Sequence, residues 1–299
     1  MKIEKYLERF SFLEGKNVIV TGANAGIGFE LSKHLLSLKA NLFMACRNKQ
    51  RAENAKEKLL SGYPQSHIEI LLYDQASFNS IKDFVKKIRE LNIKIDYLVC
   101  NAGVYFPKKK MQTADGFELT IGTNYFGQVY LLDLLEEELI KDQTRVVVVS
   151  SLTGTLSKNR PLEKINSLSR NKLYGFSKYL ISTSTYERML ENKYPVVLVH
   201  PGICSTNILN NKDTGLSSTF ALLGRKFLNV FVHSAKKASL CLLEGMVSDY
   251  HEFMYIAPNG IFSISGYPKI KKVPNKFRKE KVLDKTRVYL KSGGNYVIS

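Results

Sequence analysis

The segment Thr21-Gly22-Ala23-Asn24-Ala25-Gly26-Ile27-Gly28 lies between a short apolar run, Val18 to Val20, and a segment with helical apolar periodicity. This order of strand, glycine turn and helix start is typical of dinucleotide sites, where free N–H groups at a helix N-terminus bind pyrophosphate. Gly22 permits a tight turn, Gly26 lets a phosphate approach the backbone, and Gly28 lets the helix pack on the strand. The alternative is a plain strand-to-helix loop, and the choice between the two interpretations depends on motifs elsewhere in the chain.

Strand-like apolar runs alternate with helix-like periodic segments along most of the chain. This alternation predicts an α/β fold, a single doubly wound Rossmann-type parallel sheet with helices on both faces. Four consecutive valines within Arg145 to Ser150 fit a strand buried on both faces. Other strands are predicted at 41–46, 68–72, 97–100, 195–200 and 253–256, helices at 49–61, 77–91, 117–142 and 174–192, and a long loop at 152–173.

The composition is ordinary for a globular protein, with 44% hydrophobic and 24% charged residues in 299. We expect one domain over residues 1–268 and a basic C-terminal extension over 269–299 that lies on the surface or is partly disordered. Charged residues interrupt the start, Met1 to Lys16, which therefore does not predict a signal peptide or membrane anchor. A cytoplasmic location is expected.

The formal net charge of +17 raises nucleic acid and anionic membranes as partners. Most lysines fall on the polar faces of predicted helices and the basic tail has no nucleic-acid motif, so no nucleic-acid partner is expected. Peripheral membrane contact stays open for the tail and for the apolar stretch 220–232. The cysteines are widely separated, which predicts free buried thiols and no metal site. They are Cys46, Cys100, Cys204 and Cys241.

Tyr174 and Lys178 are four residues apart on a predicted helix and therefore share one face. A cation within a few Å lowers the pKa of a tyrosine from about 10, which helps the phenol to give or take a proton. Ser151, just after the valine-rich strand, is placed to hydrogen-bond a carbonyl oxygen that Tyr174 protonates. A Tyr-x-x-x-Lys pair is also common on helix surfaces without any function, so its meaning depends on the other motifs.

In chain order these motifs resemble the short-chain dehydrogenase/reductase superfamily, in its compact Tyr-x-x-x-Lys branch and closest to retinol-dehydrogenase-like members. The resemblance implies that Tyr174, Lys178, Ser151 and Asn124 are catalytic. In this family pattern Lys178 would bind the nicotinamide ribose, and Asn124 would hold a water that links Lys178 to solvent. The implied cofactor contacts are Gly22, Asn24, Gly26, Ile27, Gly28, Asn101, Ala102, Gly103, Tyr174, Lys178, Pro201, Gly202, Ile203 and Thr206.

The choice of cofactor depends on the end of the second strand, where an acidic residue would bind the ribose hydroxyls of NAD. Arg47 stands there instead, and a guanidinium suits a 2′-phosphate, so NADP(H) is favoured over NAD(H). A solvated surface cation is the alternative for Arg47. Asp74 resembles the family residue that meets the adenine ring, with helix capping as the alternative. Gln75, Cys100 and Tyr125 depart from the family pattern beside its motifs.

The expected function is an NAD(P)-dependent oxidoreductase that interconverts an alcohol and a carbonyl. Apolar side chains in residues 207–232 and from Val104 to Phe106 favour an apolar substrate, such as a retinoid, a steroid or a long-chain aldehyde or alcohol. Packing on the core would explain the same side chains. A catalytically silent NADP(H)-binding sensor or scaffold, and a membrane-surface lipid reductase, are the alternatives. Family analogy implies a homo-oligomer.

Overall fold

The computed structural model describes residues 3–105, 107, 109, 111–205, 233–249, 253–279 and 281–291. Phe106, Thr206 and the apolar stretch 207–232 lie outside the described residues. The helices are α1 (Ile3–Leu7), α2 (Gly26–Ser37), α3 (Lys49–Leu60), α4 (Phe78–Leu91), α5 (Leu119–Ile121), α6 (Gly127–Leu134), α7 (Glu136–Asp142), α8 (Leu152–Leu156), α9 (Arg170–Glu191), α10 (Ala235–Val247) and α11 (Leu283–Lys291). The strands are β1 (Asn17–Thr21), β2 (Asn41–Cys46), β3 (Ile68–Leu72), β4 (Tyr97–Cys100), β5 (Arg145–Val149), β6 (Val196–Val199), β7 (Cys204–Ser205), β8 (His233–Ser234), β9 (Met254–Pro258) and β10 (Pro268–Lys272).

Eight strands form one sheet in the order β10-β9-β6-β5-β4-β1-β2-β3. The neighbouring strands from β3 to β9 pair in parallel, and only β10 pairs antiparallel, with β9. The predicted doubly wound α/β sheet is therefore confirmed. Strands β7 and β8 form a separate small sheet.

Helices cover both faces of the sheet and bury an apolar core on each. Side chains of α4, α6 and α9 contribute to one core, and side chains of α2, α3 and α10 contribute to the other. The valines of β5 alternate between the cores, with Val146 and Val148 in the first and Val147 and Val149 in the second. This alternation explains why the strand reads as an unbroken apolar run.

The helix predicted at 117–142 is divided, because a π-helical turn, Gly122–Phe126, precedes α6 and a break at Leu135 separates α6 from α7. Glutamates in the first turn of α7 favour a new helix start there. The loop predicted at 152–173 contains α8 and a 3-10 turn, and α9 begins earlier than expected, at Arg170.

Residues 268–279 and 281–291, hereafter the C-terminal segment, are attached to the domain by a strand pairing and by several buried side chains. The sequence predicts instead that residues 269–299 lie on the surface or are partly disordered. Strand β10 extends the sheet beyond β9. Apolar residues spaced between the lysines account for the packing, since Val273, Phe277, Val282 and Leu283 are all buried. The division of the chain at residue 268 stays a prediction.

Two sequence expectations concern features away from the sheet. Within the described part of the chain, no helix combines the length and the apolarity needed to cross a bilayer. Cys46, Cys100 and Cys241 are free and buried, as predicted. Burial raises the pKa of all three thiols, to about 11 for Cys46 and about 12 for the other two, so they stay protonated near neutral pH.

Candidate active site

A cavity of about 520 Å³ lies at the carboxyl ends of the strands, where the strand order reverses between β1 and β4. Ligands of doubly wound sheets bind at this switch point. The cavity brings together most of the residues singled out in the sequence. Those that line it are Gly22, Asn24, Gly26, Ile27, Arg47, Asn101, Ala102, Gly103, Ser151, Tyr174, Lys178, Pro201, Gly202 and Ile203.

The glycine turn between β1 and α2 needs its glycines for two different reasons. Gly22 and Gly26 have φ values of 68° and 57°, in the left-handed region that favours glycine. A Cβ atom on Gly28 would lie 2.4 Å from the carbonyl oxygen of Gly22, so only glycine allows α2 to start this close to β1. Gly28 therefore lies behind the cavity and shapes its wall.

The segment Asn101 to Gly103 holds the glycine turn from the side of β4. Thr21 Oγ1 accepts hydrogen bonds from the backbone N–H groups of Asn101 and Ala102, both at 2.9 Å. Asn101 Nδ2 donates in return to the carbonyl oxygen of Thr21 at 2.9 Å. These bonds fix the relative position of the two loops that flank the switch point.

Lys178 is buried in the cavity wall, with 6% of its surface exposed. Its Nζ donates to the carbonyl oxygen of Val149 at 2.8 Å. Burial lowers the pKa of this amine to about 8. Tyr174, one turn earlier on α9, packs edge to face on Tyr105, with ring centroids 4.6 Å apart and an interplanar angle of 85°. Both tyrosines line the cavity.

Ser151 caps the N-terminus of α8 at the end of β5. Its Oγ accepts hydrogen bonds from the backbone N–H and the hydroxyl of Thr153, at 3.3 and 3.0 Å. Gly154 sets the distance from α8 to α9, because a Cβ there would lie 2.9 Å from the carbonyl group of Lys178. Close packing of α8 on α9 thus places Ser151 in the same cavity wall as Lys178.

Asn124 lies in the π-helical turn and is 1% exposed. Its Oδ1 accepts from the N–H of Val104 at 2.7 Å, and its Nδ2 donates to the carbonyl oxygen of Val104 at 2.9 Å. Nδ2 also donates to Ser177 Oγ at 3.1 Å. Val104 lines the cavity, so Asn124 is one residue behind its wall. Single π-helical turns are frequent at functional sites.

Asp74 is not among the described cavity-lining residues. Its carboxylate accepts from the N–H of Ala76 at 3.0 Å, and the N-cap of α4 is Ser77. The hydrogen bonds of Asp74 therefore belong to the turn that precedes α4, and its proposed contact with adenine stays a prediction.

Sequence reasoning missed Asn48, Arg51 and Thr153, which also line the cavity. Arg51 stands four residues after Arg47, in the first turn of α3, and Asn48 caps that helix by accepting from the N–H of Arg51 at 2.8 Å. The available signal was a second arginine in the first turn of the helix that directly follows Arg47.

Replacing Lys178 with methionine is expected to stabilise the ligand-free protein near pH 7 by about 2 kcal/mol. A pKa lowered from 10.5 to about 8 corresponds to a cost of roughly 3 kcal/mol for the buried cation, from which about 1 kcal/mol is subtracted for the lost bond to Val149. Below pH 8 the amine is protonated in both states and the full cost applies. Between pH 8 and 10.5 only the unfolded lysine keeps its proton, so wild-type stability rises with pH and the difference disappears.

Urea unfolding of both proteins at pH 7 and pH 10 measures this difference. A gap between the two proteins that is the same at both pH values would contradict a lowered pKa for Lys178.

The chain was compared with a family model, with curated proteins and with solved structures. The family described as short chain dehydrogenase matches residues 16–216. A chloroplastic protochlorophyllide reductase of Daucus carota is 41% identical over 154 residues, 48% of this chain and 38% of the relative. The WW domain-containing oxidoreductase of Homo sapiens is 32% identical over 202 residues, 63% of this chain and 49% of the relative. The chain thus spans about half the length of these curated relatives, or less.

A solved structure of an uncharacterised protein from Mycobacterium Paratuberculosis has the same fold. It superimposes with a TM-score of 0.68 at 22% identity, with 94% of each chain covered.

Proposed function

Because this chain belongs to the short-chain dehydrogenase family, we propose that it interconverts an alcohol and a carbonyl with a nicotinamide cofactor, and that it favours NADP(H) over NAD(H). One observation carries the proposal. A single cavity is lined by Arg47 and Arg51 after β2, by the glycine turn after β1, and by Ser151, Tyr174 and Lys178 beside β5, and the strands themselves follow this order in the sheet. A dinucleotide has the same sequence of parts, with adenosine at one end and nicotinamide at the other.

The residues along the cavity fit this cofactor. Gly22 and Gly26 line the cavity at the N-terminus of α2, and because neither carries a side chain a pyrophosphate could approach the backbone there. Arg47 and Arg51 would bind the 2′-phosphate of NADP(H). The free ribose hydroxyls of NAD(H) carry no charge and do not need a guanidinium partner. At the other end, Lys178 would donate to the nicotinamide ribose. The bound nicotinamide supplies or accepts a hydride at the carbonyl carbon.

The proton chemistry falls to the side chains of this chain. Tyr174 would donate its phenolic proton to the carbonyl oxygen in reduction and take it back in oxidation. Lys178, with a pKa of about 8, carries a positive charge at neutral pH and would stabilise the phenolate. Ser151 would hydrogen-bond the same carbonyl oxygen. Asn124 would hold a water that connects Lys178 to solvent, and its bonds to Val104 would keep it oriented.

An apolar substrate is proposed because Val104, Tyr105 and Ile203 line the described end of the cavity beside Tyr174. The retinoids, steroids and long-chain aldehydes or alcohols expected from the sequence remain the first classes to test. The name of the carrot relative adds protochlorophyllide to the set.

The test is a panel of retinal, a steroid ketone, a long-chain aldehyde and protochlorophyllide, each incubated with NADPH and followed by loss of NADPH absorbance. We expect oxidation of NADPH with at least one carbonyl compound and none with Tyr174→Phe. Turnover of protochlorophyllide alone would favour the compound in the carrot relative's name over retinoids, steroids and long-chain aldehydes. Binding of NADPH without turnover of any compound would favour the silent sensor or scaffold.

One surface feature favours the membrane-surface reductase as a second candidate. Ile261 and Phe262, in the loop between β9 and β10, are 78% and 80% exposed. Lys269 and Lys272 of β10 are exposed next to this loop in the sequence. An apolar tip with nearby cations suits an anionic lipid surface. Flotation with vesicles of phosphatidylserine and phosphatidylcholine, compared with Phe262→Ser, tests this candidate, and equal recovery of both proteins would exclude a role for the loop.

A further inference from the structure

The C-terminal segment contacts the elements that carry Asn124, Ser151, Tyr174 and Lys178. We propose that this segment is a positioning element of the active site, and that Thr286 and Lys276 are its positioning residues. Thr286 holds the π-helical turn that carries Asn124 by a hydrogen bond to Tyr125. Lys276 holds α8, which Ser151 caps, by a hydrogen bond to Thr155. The expected effect on kcat rests on the proposed oxidoreductase function. Whether the segment holds the π-helical turn in place is tested separately.

The contact to the π-helical turn is a buried hydrogen bond between Tyr125 and Thr286. Tyr125 Oη lies 2.6 Å from Thr286 Oγ1, and both residues are 0% exposed. Thr286 Oγ1 also lies 2.8 Å from the carbonyl oxygen of Val282, which can only accept. The threonine hydroxyl therefore donates to Val282, and the tyrosine hydroxyl donates to the threonine. Burial raises the pKa of Tyr125 well above its usual range, so this donor keeps its proton at all working pH values.

Helix α11 is itself held in place by other parts of the domain. Glu187 of α9 accepts hydrogen bonds from the backbone N–H groups of Val282 and Leu283, at 2.7 and 3.1 Å, and so caps the first turn of α11. Arg287 pairs with Asp133 of α6 at 3.0 Å. Thr286 is consequently a fixed acceptor, and a shift of Tyr125 would break its hydrogen bond to Thr286.

The contact to α8 comes from the part of the segment that follows β10. Lys276 Nζ donates to the carbonyl oxygen of Thr155, in the last turn of α8, at 2.8 Å. The next residue, Phe277, is 0% exposed and its ring lies 6.1 Å from that of Tyr179, which follows Lys178 on α9. This part of the segment therefore lies against both helices that form the catalytic wall.

These contacts matter for catalysis because the turn sets the cavity wall. Asn124 exchanges two hydrogen bonds with the backbone of Val104, so a displaced turn moves Val104 as well. Small displacements of groups around the reacting atoms lower turnover strongly without abolishing binding. The end of the cavity proposed to bind the phosphates is formed by the turns after β1 and β2 and by the first residues of α2 and α3. The hydrogen bonds of Thr286 and Lys276 are made to other elements. We therefore expect a change in kcat with little change in NADPH affinity.

The experiment removes the hydroxyl of Thr286 and measures kcat and the affinity for NADPH. Thr286→Val is expected to lower kcat about tenfold on the best carbonyl of the panel, with the Kd for NADPH unchanged within about twofold. Thr286→Ser, which keeps the hydroxyl, is expected to restore kcat. Lys285→Ala, an exposed change on the same helix, is the matched control. Thr286→Val already removes the hydrogen bond between the two residues, so the kcat of the double variant Tyr125→Phe, Thr286→Val should be no lower than that of Thr286→Val alone.

Hydrogen exchange of the Val104 amide provides a readout that needs no substrate. Its N–H is held by Asn124, so exchange is expected to be faster in Thr286→Val than in Lys285→Ala. Equal exchange in the two variants would overturn the proposal. So would a Thr286→Val protein with a lower melting temperature and an unchanged kcat, because that result assigns Thr286 to stability alone. If no panel compound reacts, the proposed function fails, while the exchange result still decides whether the segment positions the turn.

The contact of Lys276 is tested in the same assay. Lys276→Met keeps most of the apolar part of the side chain and removes the donor to Thr155, and a fall in kcat of about threefold with unchanged NADPH affinity is expected. Lys279→Met, an exposed neighbour in the segment, is the control. An unchanged kcat in Lys276→Met would remove Lys276 from the proposal.

Discussion

Tyr174→Phe is expected to lower kcat by about a thousandfold or more while NADPH still binds. General acid–base catalysis by a positioned side chain contributes about 10²- to 10⁴-fold, and phenylalanine has no proton to give. The remaining ring can keep its edge-to-face contact with Tyr105, so the shape of the cavity is preserved. NADPH oxidation with the best carbonyl of the panel measures the loss in kcat, and quenching of NADPH fluorescence measures binding.

The matched control for this variant is Tyr186→Phe. Tyr186 lies on the same helix, packs on Phe253 with ring centroids 5.5 Å apart, and does not line the described cavity. Wild-type turnover is expected for the control. If Tyr174→Phe kept more than a tenth of wild-type kcat, another group would have to supply the proton, and the assignment of Tyr174 would be wrong.

Arg47→Asp combined with Arg51→Gln is expected to lower the ratio of NADPH affinity to NADH affinity by at least about 100-fold. A hydrogen bond between charged partners contributes about 1.5–3 kcal/mol, and the variant removes two such donors from the adenosine end of the cavity. The new carboxylate would also accept hydrogen bonds from the free ribose hydroxyls of NADH. Titration of each variant with both cofactors, in the absence of substrate, measures the two dissociation constants.

Single variants separate the two arginines, and Lys49→Gln is the control. Lys49 is exposed in the same first turn of α3 and is not among the described residues that line the cavity. A small shift from Lys49→Gln would measure the general effect of removing a positive charge. An unchanged ratio in the double variant would mean that both guanidinium groups are solvated surface cations.

Much of the fold was predictable because the decisive signals are local. Apolar runs and helical periodicity identified the alternating elements, and the valines of β5 indicated a strand covered on both sides. The helix at 117–142 was less predictable, because a π-helical turn leaves apolar periodicity almost intact. The packing of the C-terminal segment was missed because its many lysines hide the few apolar residues, such as Phe277, that are buried.

Two kinds of feature could be identified from the sequence by itself. They are the backbone positions that favour glycine and the pairs of residues that share one face of a helix. Gly22 and Gly26 adopt φ values that favour glycine, and the four-residue spacing of Tyr174 and Lys178 needs only a helix to bring them to one side. Such features depend on a few neighbouring residues, so the sequence contains them directly.

Tertiary structure alone decided how far each group is buried and which distant residues meet. It buried Lys178 beside Val149, which lowers the pKa of the amine to about 8. It also brought Tyr125 against Thr286, 161 residues later in the chain. Burial and contact between distant segments result from the packing of whole helices on the sheet. The spacing of residues along the chain therefore predicts neither the burial of a group nor its distant contacts.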